Sequence, residues 1–374
     1  MQPMQHPRLH CILGTRAQII KMAPVIRILE KSNTPLNIVM TGQHKNTVDT
    51  LFSDFGIRSK PTYVYDGQEI SGIAKMLIWM PRIVWRMVYD AEMFFPGKQG
   101  IVLVHGDTVS TLAGALVGKV LGMKVAHIES GLRSFNILHP FPEELTRLAV
   151  FRLSDIAFCP GAWAMDNMQN YGCKRVDTGT NTIVDAVRLV MEQFRTATDH
   201  GSYGVVSIHR FENIFRKKRL LQIIEMLEYA AEKSRLIFVL HPATEKRLKH
   251  TGLYERLHGN PSIELHPRMG YAEFIQLIMA ARFVVTDGGS NQEELSLTDI
   301  PVYLMRKATE RQEGLGKNIV LGNYDLAAFR IFIQQASRRP STSSMHIENE
   351  GSPVRVICDT LTMEASPGPT PVLR

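Results

Sequence analysis

No apolar run in the 374-residue chain approaches the ~18–20 residues that a membrane-spanning helix needs, so no stable membrane insertion is expected. The opening MQPMQHPRLH has no apolar core of the kind a secretory signal carries. Cysteine is scarce. Cys11, Cys159, Cys173 and Cys358 are scattered without metal-type spacing, which reads as reduced thiols in a cytoplasmic protein. The first strand-like run is followed neither by a GxGxxG turn nor by the lysine–serine pair of a P-loop, so nicotinamide and P-loop chemistry are excluded. Nucleic-acid binding would call for a clustered basic face with interleaved aromatics, and none stands out. The net charge of +7 is dispersed, with only short groups such as RKKR at 216–219, and it suits a small anionic substrate such as a nucleotide or phosphate ester.

What is present is an alternation of short apolar runs with longer helical patterns, the mark of parallel sheets with crossover helices. The first half offers strands at 9–13, 37–40, 101–104, 124–128 and 156–158. The second offers them at 203–208, 235–240, 262–265, 282–286 and 301–305. Two such series in a chain longer than one core usually serves predict an α/β protein of two doubly wound, Rossmann-like domains facing a central cleft. The joint is placed at VDTGTN (176–181), giving domains 1–178 and 179–360, with a disordered Pro/Ser-rich tail at 361–374. Residues 73–95 carry more Met, Trp and Phe than one buried helix face needs, which predicts an amphipathic helix kinked near Pro81 and used in a dimer contact.

Open α/β sheets bind ligands beyond the carboxyl ends of their strands, so the residues there carry the chemistry. His105-Gly106-Asp107 follows one strand and Glu129 the next. Neighbouring parallel strands would place these two carboxylates on one rim, although an Asp at that position also suits a helix cap. Pro142 fits the first position of a helix, with Glu143 and Glu144 in its first turn and Leu145, Leu148, Ala149 and Leu153 as its core stripe. Arg147 stands four residues after Glu143, where an ion pair is equally open. Together the acids read as an acid–base site whose mutual repulsion raises a pKa, with Arg133 and Arg147 restraining the charge.

The phosphate side is distributed. Arg16 and Lys21, after the first strand, form a diphosphate clamp or a solvated first helical turn. In the second domain, TDGGSNQEE (286–294) sets Gly288, Gly289 and Ser290 at a helix start, with Glu294 in reach of ribose hydroxyls. His209 and His241 each follow a strand.

Taken in order, GTRAQIIKMAP, TGQH, VHGDT, HIESGLRS, PEELTR, HRFEN, TDGGSNQEE and MRKATERQE resemble the non-hydrolysing UDP-N-acetylglucosamine 2-epimerases over roughly residues 10–330. The resemblance implies a GT-B architecture, a cytoplasmic homodimer and no metal or other cofactor. Members eliminate UDP from UDP-GlcNAc to form 2-acetamidoglucal and add it back to give UDP-ManNAc. The family's acid/base residues match Asp107, Glu129 and Glu143. Its phosphate and UDP contacts match Arg16, Lys21, His209, Gly289, Ser290 and Glu294, and its arginine positions match Arg147 and Arg311. A second UDP-GlcNAc acts as activator in many members, and Gln43, His44 and His241 would serve it here. Where the family has Arg-Pro-Glu this chain has Arg16-Ala17-Gln18, and Ser-Gly-Gly becomes Gly288-Gly289-Ser290. Alternative readings are a 2-epimerase of a modified sugar (uronate, diacetamido or deoxy), a hydrolysing 2-epimerase, or a GT-B glycosyltransferase.

Overall fold

The computed structural model describes residues 9–42, 45–65, 73–137, 141–193, 202–309, 311–338 and 351–365. The chain divides into two compact units. The first comprises residues 1–189 and 350–374, the second residues 190–349.

The first unit holds a seven-stranded sheet of β1 (Leu9–Leu13), β2 (Leu36–Met40), β3 (Thr62–Tyr63), β4 (Ile101–His105), β5 (Lys124–Ile128), β6 (Ile156–Cys159) and β7 (Lys174–Asp177). All pairings are parallel, in the order β3-β2-β1-β4-β5-β6-β7. β1 and β4 lie at the sheet centre and are buried along their whole length, as unbroken apolar runs with helices on both faces require. The strand order reverses between β1 and β4, so their carboxyl ends diverge there. Gly14 follows β1 at this point, and a side chain there would run into Ser110 Oγ at 2.0 Å and Thr41 Oγ1 at 2.6 Å.

The second unit repeats the plan with β8 (Tyr203–Ser207), β9 (Arg235–Val239), β10 (Ile263–His266), β11 (Phe283–Thr286), β12 (Val302–Leu304) and β13 (Ile319–Leu321). Its parallel sheet has the order β10-β9-β8-β11-β12-β13, with the reversal between β8 and β11. Its core is built from Leu220, Ile223, Ile224 and Leu227 of helix Lys217–Ala231, from Phe238, Phe283 and Tyr303 of the sheet, and from Phe329 and Ile333.

Every expected strand forms, and β3, β7 and β13 are additional. The expected joint at 176–181 coincides with β7, an edge strand of the first sheet, and the unit boundary falls later, inside helix Ile183–Gln193. Residues 350–360 belong to the first unit, not the second. Helix Pro353–Ala365 packs Val354, Ile357, Cys358 and Leu361 into it, each almost fully buried. Asp185 anchors its start by accepting from Ser352 Oγ and Val354 N at 2.9 and 3.0 Å. Lys124 and Lys174 hold Glu364 at its other end at 2.8 and 3.0 Å. Residues 361–365, expected in a disordered tail, therefore complete a docked helix; the rest of that tail lies outside the described residues.

Helix Ile73–Tyr89 runs unbroken through Pro81. Trp79, Ile83 and Met87, spaced by four, enter the core beside β4, while Ile78, Trp85 and Tyr89 face outward. In helix Glu143–Leu153 the buried residues are Glu144, Thr146, Val150 and Phe151, whereas Leu145 is exposed. The expected stripe was shifted because a buried carboxylate takes a place in it. Pro142 is the residue before the helix, not its first residue.

Candidate active site

At the reversal of the first unit, Thr15 and Gln18 form a reciprocal cap at the start of helix Arg16–Lys31. Gln18 does more than a glutamate can. Its Oε1 accepts from Gly14 N and Thr15 N at 2.9 and 3.1 Å, and its Nε2 donates to His105 O at 2.6 Å and Thr111 Oγ1 at 2.9 Å. One buried amide thus joins the ends of β1 and β4, where the reversal leaves backbone groups without ladder partners. A carboxylate at position 18 has no hydrogen to give the His105 carbonyl.

Asp107 does not cap the next helix; Thr108 does, accepting from Thr111 N at 3.2 Å. That leaves the Asp107 carboxylate to Arg147, whose Nη2 stands 2.5 Å from Oδ2. The turn carrying Asp107 is held from the neighbouring strand, where His127 Nε2 lies 2.8 Å from Gly106 O.

Glu129 follows β5 with a left-handed φ of +64°, a conformation that costs a non-glycine residue on the order of 1 kcal/mol or more. Its nearly buried Oε2 meets Lys21 Nζ at 2.5 Å, Asn181 Nδ2 at 2.7 Å and His105 Nε2 at 3.2 Å. Lys21 had been expected to clamp a diphosphate with Arg16; in this fold its ammonium is placed against Glu129. Glu129 and Asn181 also line a pocket with Thr178, Thr180, Thr182 and Pro160 at the ends of β5 and β6.

Glu143 opens helix Glu143–Leu153, and its buried Oε2 has no hydrogen-bond partner among the described residues. The open choice of a Glu143–Arg147 pair is settled otherwise, because Arg147 reaches Glu144 instead, at 3.3 Å. Glu144 is fully buried and also takes Arg133 Nε at 2.5 Å and Ser134 N at 3.0 Å. Burial alone would push its carboxyl up, but the Ser134 N–H and Arg133 outweigh this and hold it below the usual carboxylate range. Arg133 therefore serves Glu144 and not the proposed acids. Burial would lower Arg147, but the charges of Asp107, Glu129 and Glu144 together push it up, and two of these carboxylates, Asp107 and Glu144, touch its guanidinium. Their nearest neighbours are cations and N–H donors, not one another, which replaces the mutual repulsion expected from the sequence.

In the second unit, Asp287 follows β11 fully buried. It accepts from His209 N at 3.0 Å, Arg210 N at 2.9 Å and Asn213 Nδ2 at 2.8 Å, with His209 Nδ1 at 3.2 Å. The His209 ring lies 5.7 Å from that of His241. His241 Nδ1 accepts from Ala243 N at 3.3 Å and caps its own helix. A side chain at Gly288 would meet Asn291 Oδ1 at 2.3 Å and His209 Cε1 at 3.1 Å, so both neighbours would have to move to admit it. Gly289 and Ser290 open helix Gly289–Leu295 half-buried, and Glu294 is buried within it. Arg311 pairs with Glu293, which sequence reasoning had not singled out. Gln43 and His44 lie outside the described residues. Among the described residues no group of three His, Cys, Asp or Glu is placed to hold a metal ion.

Glu144, Asn181, Gln18 and Glu293 were not foreseen as site residues, and His105 was marked only by its place at a strand end. Asn181 had a signal in GTNT at 179–182; the others are ordinary polar residues in sequence and acquire meaning only from their partners.

A Rossmann-ordered sheet in each of two units, each gathering its polar residues at the strand-order reversal, is the build of a GT-B protein. The chain belongs to the UDP-N-acetylglucosamine 2-epimerase family, whose model matches residues 27–335. It is 34% identical over 336 residues to the UDP-N-acetylglucosamine 2-epimerase of Methanocaldococcus jannaschii, covering 84% of this chain and 88% of that protein. The structure of the UDP-GlcNAc 2-epimerase of that organism in complex with UDP-GlcNAc and UDP matches with a TM-score of 0.76 at 30% identity, over 95% of this chain and 99% of that one. A Pseudomonas aeruginosa UDP-2,3-diacetamido-2,3-dideoxy-D-glucuronate 2-epimerase is also 34% identical, over 83% of this chain and 87% of that protein.

Burial lowers His127 to about 4, against the Gly106 carbonyl, which favours its proton. The folded state therefore keeps a neutral imidazole where the unfolded chain takes up a proton below about 6.5. This contribution is fully present above pH 6.5 and is lost as pH falls towards 4, by up to about 3 kcal/mol. Urea unfolding between pH 7.5 and 4.5 is expected to show the loss, and His127→Gln to flatten that part of the profile.

Proposed function

We propose that the protein interconverts UDP-GlcNAc and UDP-ManNAc by eliminating UDP and adding it back. A base of the first unit takes the proton from C2. The C–H electron pair forms the C1–C2 double bond as the C1–oxygen bond breaks and UDP leaves. Re-addition of UDP to C1 accompanies protonation of C2 on the opposite face. The observation that carries this reading is the pairing of Asp107 with Arg147 and of Glu129 with Lys21 just after the neighbouring strands β4 and β5, at the end of the sheet where such folds bind ligands. Acid–base work needs carboxylates that are fixed yet not all neutralised. Asp107 and Glu129 are fixed by Arg147 and Lys21, and Glu143 has a buried oxygen without a hydrogen-bond partner among the described residues, placed to carry a proton.

Asp107, Glu129 and Glu143 act on the sugar carbon in this scheme, with Lys21 as the cation that orients Glu129. Arg16, His209, Gly289, Ser290, Glu294 and Arg311 hold the UDP moiety, and Arg147 steadies the acids. A second UDP-GlcNAc acts as activator through Gln43 and His44, with His241 beside it. The protein works in the cytoplasm; no described helix is long and apolar enough to cross a membrane.

A second copy of the chain covers the outward stripe of helix Ile73–Tyr89. Trp85 and Tyr89 are 65% and 74% exposed and stack with ring centroids 5.0 Å apart, more apolar surface than a solvated helix needs. Sedimentation is expected to give a dimer that Trp85→Glu converts to monomer; a monomeric parent protein would overturn the assignment.

The reaction is tested by NMR of the purified protein with UDP-GlcNAc in D2O. UDP-ManNAc is expected to appear with deuterium at C2. Retention of the C2 proton, or activity on a diacetamido uronate nucleotide alone, would sink the reading. Asp107→Asn and Glu143→Gln are each expected to lower turnover by about 100-fold while UDP binding is kept. Parallel loss of UDP binding would mark these residues as structural.

A further inference from the structure

His105 ends β4 with only 3% of its surface exposed, and neither ring nitrogen makes a regular hydrogen bond among the described residues. Leaving an imidazole buried in this state is costly unless the contact it does make has a use. That contact is Glu129, 3.2 Å from Nε2. The backbone of His105 is fixed more tightly than its ring: its carbonyl accepts from Gln18 Nε2 at 2.6 Å and from Thr111 Oγ1 at 2.7 Å. The ring is thus delivered to Glu129 by a strand end with little freedom to retreat. Glu129 itself stands in a left-handed conformation, so its side chain is aimed by partners as much as by its own backbone.

We propose that His105 is a positioning residue for Glu129, its Nε2–H closing from the 3.2 Å contact onto Oε2 during turnover so that the carboxylate keeps one orientation through proton transfer. A neutral imidazole offers a single N–H, and beside a carboxylate the Nε2–H tautomer is the one that binds. Lys21 and Asn181 donate to the same oxygen, and His105 brings a third nitrogen to within 3.2 Å of it from a separate segment. The other titratable group shown to feel the charge of the ring is His127 on the neighbouring strand β5.

This inference rests on the epimerase reading for its role in turnover, and the experiment separates the two. His105→Gln places an amide nitrogen near the imidazole Nε2; His105→Leu removes the donor at similar volume. With deuterium exchange at C2 as the readout, His105→Leu is expected to lower kcat by roughly 10–100-fold with KM for UDP-GlcNAc little changed, and His105→Gln to restore most of it. The acid limb of the kcat–pH profile is expected to move upward in His105→Leu, since Glu129 loses a donor that favours its ionised form. Equal losses in both variants, or a change in KM alone, would overturn the proposal. An independent arm uses long-range 1H–15N NMR of the unmutated protein, where His105 is expected to carry its proton on Nε2 and to shift on Glu129→Gln. A proton on Nδ1, or no response to that change, would overturn the positioning role even if the protein were not an epimerase. Absence of C2 exchange in the unmutated protein with the NMR signature intact would instead sink the epimerase reading alone.

Discussion

A nearly buried carboxylate is the constraint around which the first unit is organised. Taking Glu129 out of water costs several kcal/mol unless charge and hydrogen bonds replace the lost solvent. The replacements come from the helix after β1, the end of β4 and the segment after β7, as Lys21, His105 and Asn181. None of these lies within twenty residues of Glu129 in sequence, so the carboxylate is stable only when the whole sheet has assembled around it. A buried pair of this kind contributes little net stability but enforces a single arrangement, which the proposed role of Glu129 requires.

The two reversals of strand order solve one problem by two means. Where neighbouring strands send their chains to opposite faces, backbone groups at the strand ends lose their ladder partners. In the first unit Gln18 bridges the gap, with donors and an acceptor on one side chain. In the second, Asp287 does so with acceptors only, collecting the N–H groups of His209 and Arg210. Each bridge fixes a residue placed among the functional candidates, His105 through its carbonyl and His209 through its amide. The same atoms hold the strand ends and the proposed site, so the polar residues crowd at the reversal and not along the strands.

Much of the architecture was legible because buried parallel strands are almost continuous apolar runs, and ten were readable with ends correct to within a residue or two. β3 and β13 escaped because two or three residues carry no pattern, and β7 because Lys174-Arg175-Val176-Asp177 reads as a solvated edge. The domain joint was misplaced for the same reason: a polar edge strand looks like a linker. Residues 353–360 were assigned to the wrong unit and 361–365 to a disordered tail, since nothing local tells a helix which core to join. Among the acids, Asp107 and Glu129 were legible from their place after strands. The Lys21 and Asn181 partners of Glu129 were not; Arg147 does meet Asp107, whereas Arg133 serves Glu144 and was credited with more than it does.

Residue type and local spacing determined the strands, the strand-end carboxylates, the glycine turn at 288 and the family, because these depend on periodicity, on backbone sterics and on short motifs that survive in linear order. Which atom meets which was decided only by the tertiary structure. Glu144 and not Glu143 takes Arg147, Thr108 and not Asp107 caps its helix, and Lys21 faces a carboxylate. Such choices turn on differences of an ångström in where a side chain ends, and on how much water is left around it. Both quantities exist only once distant segments have packed.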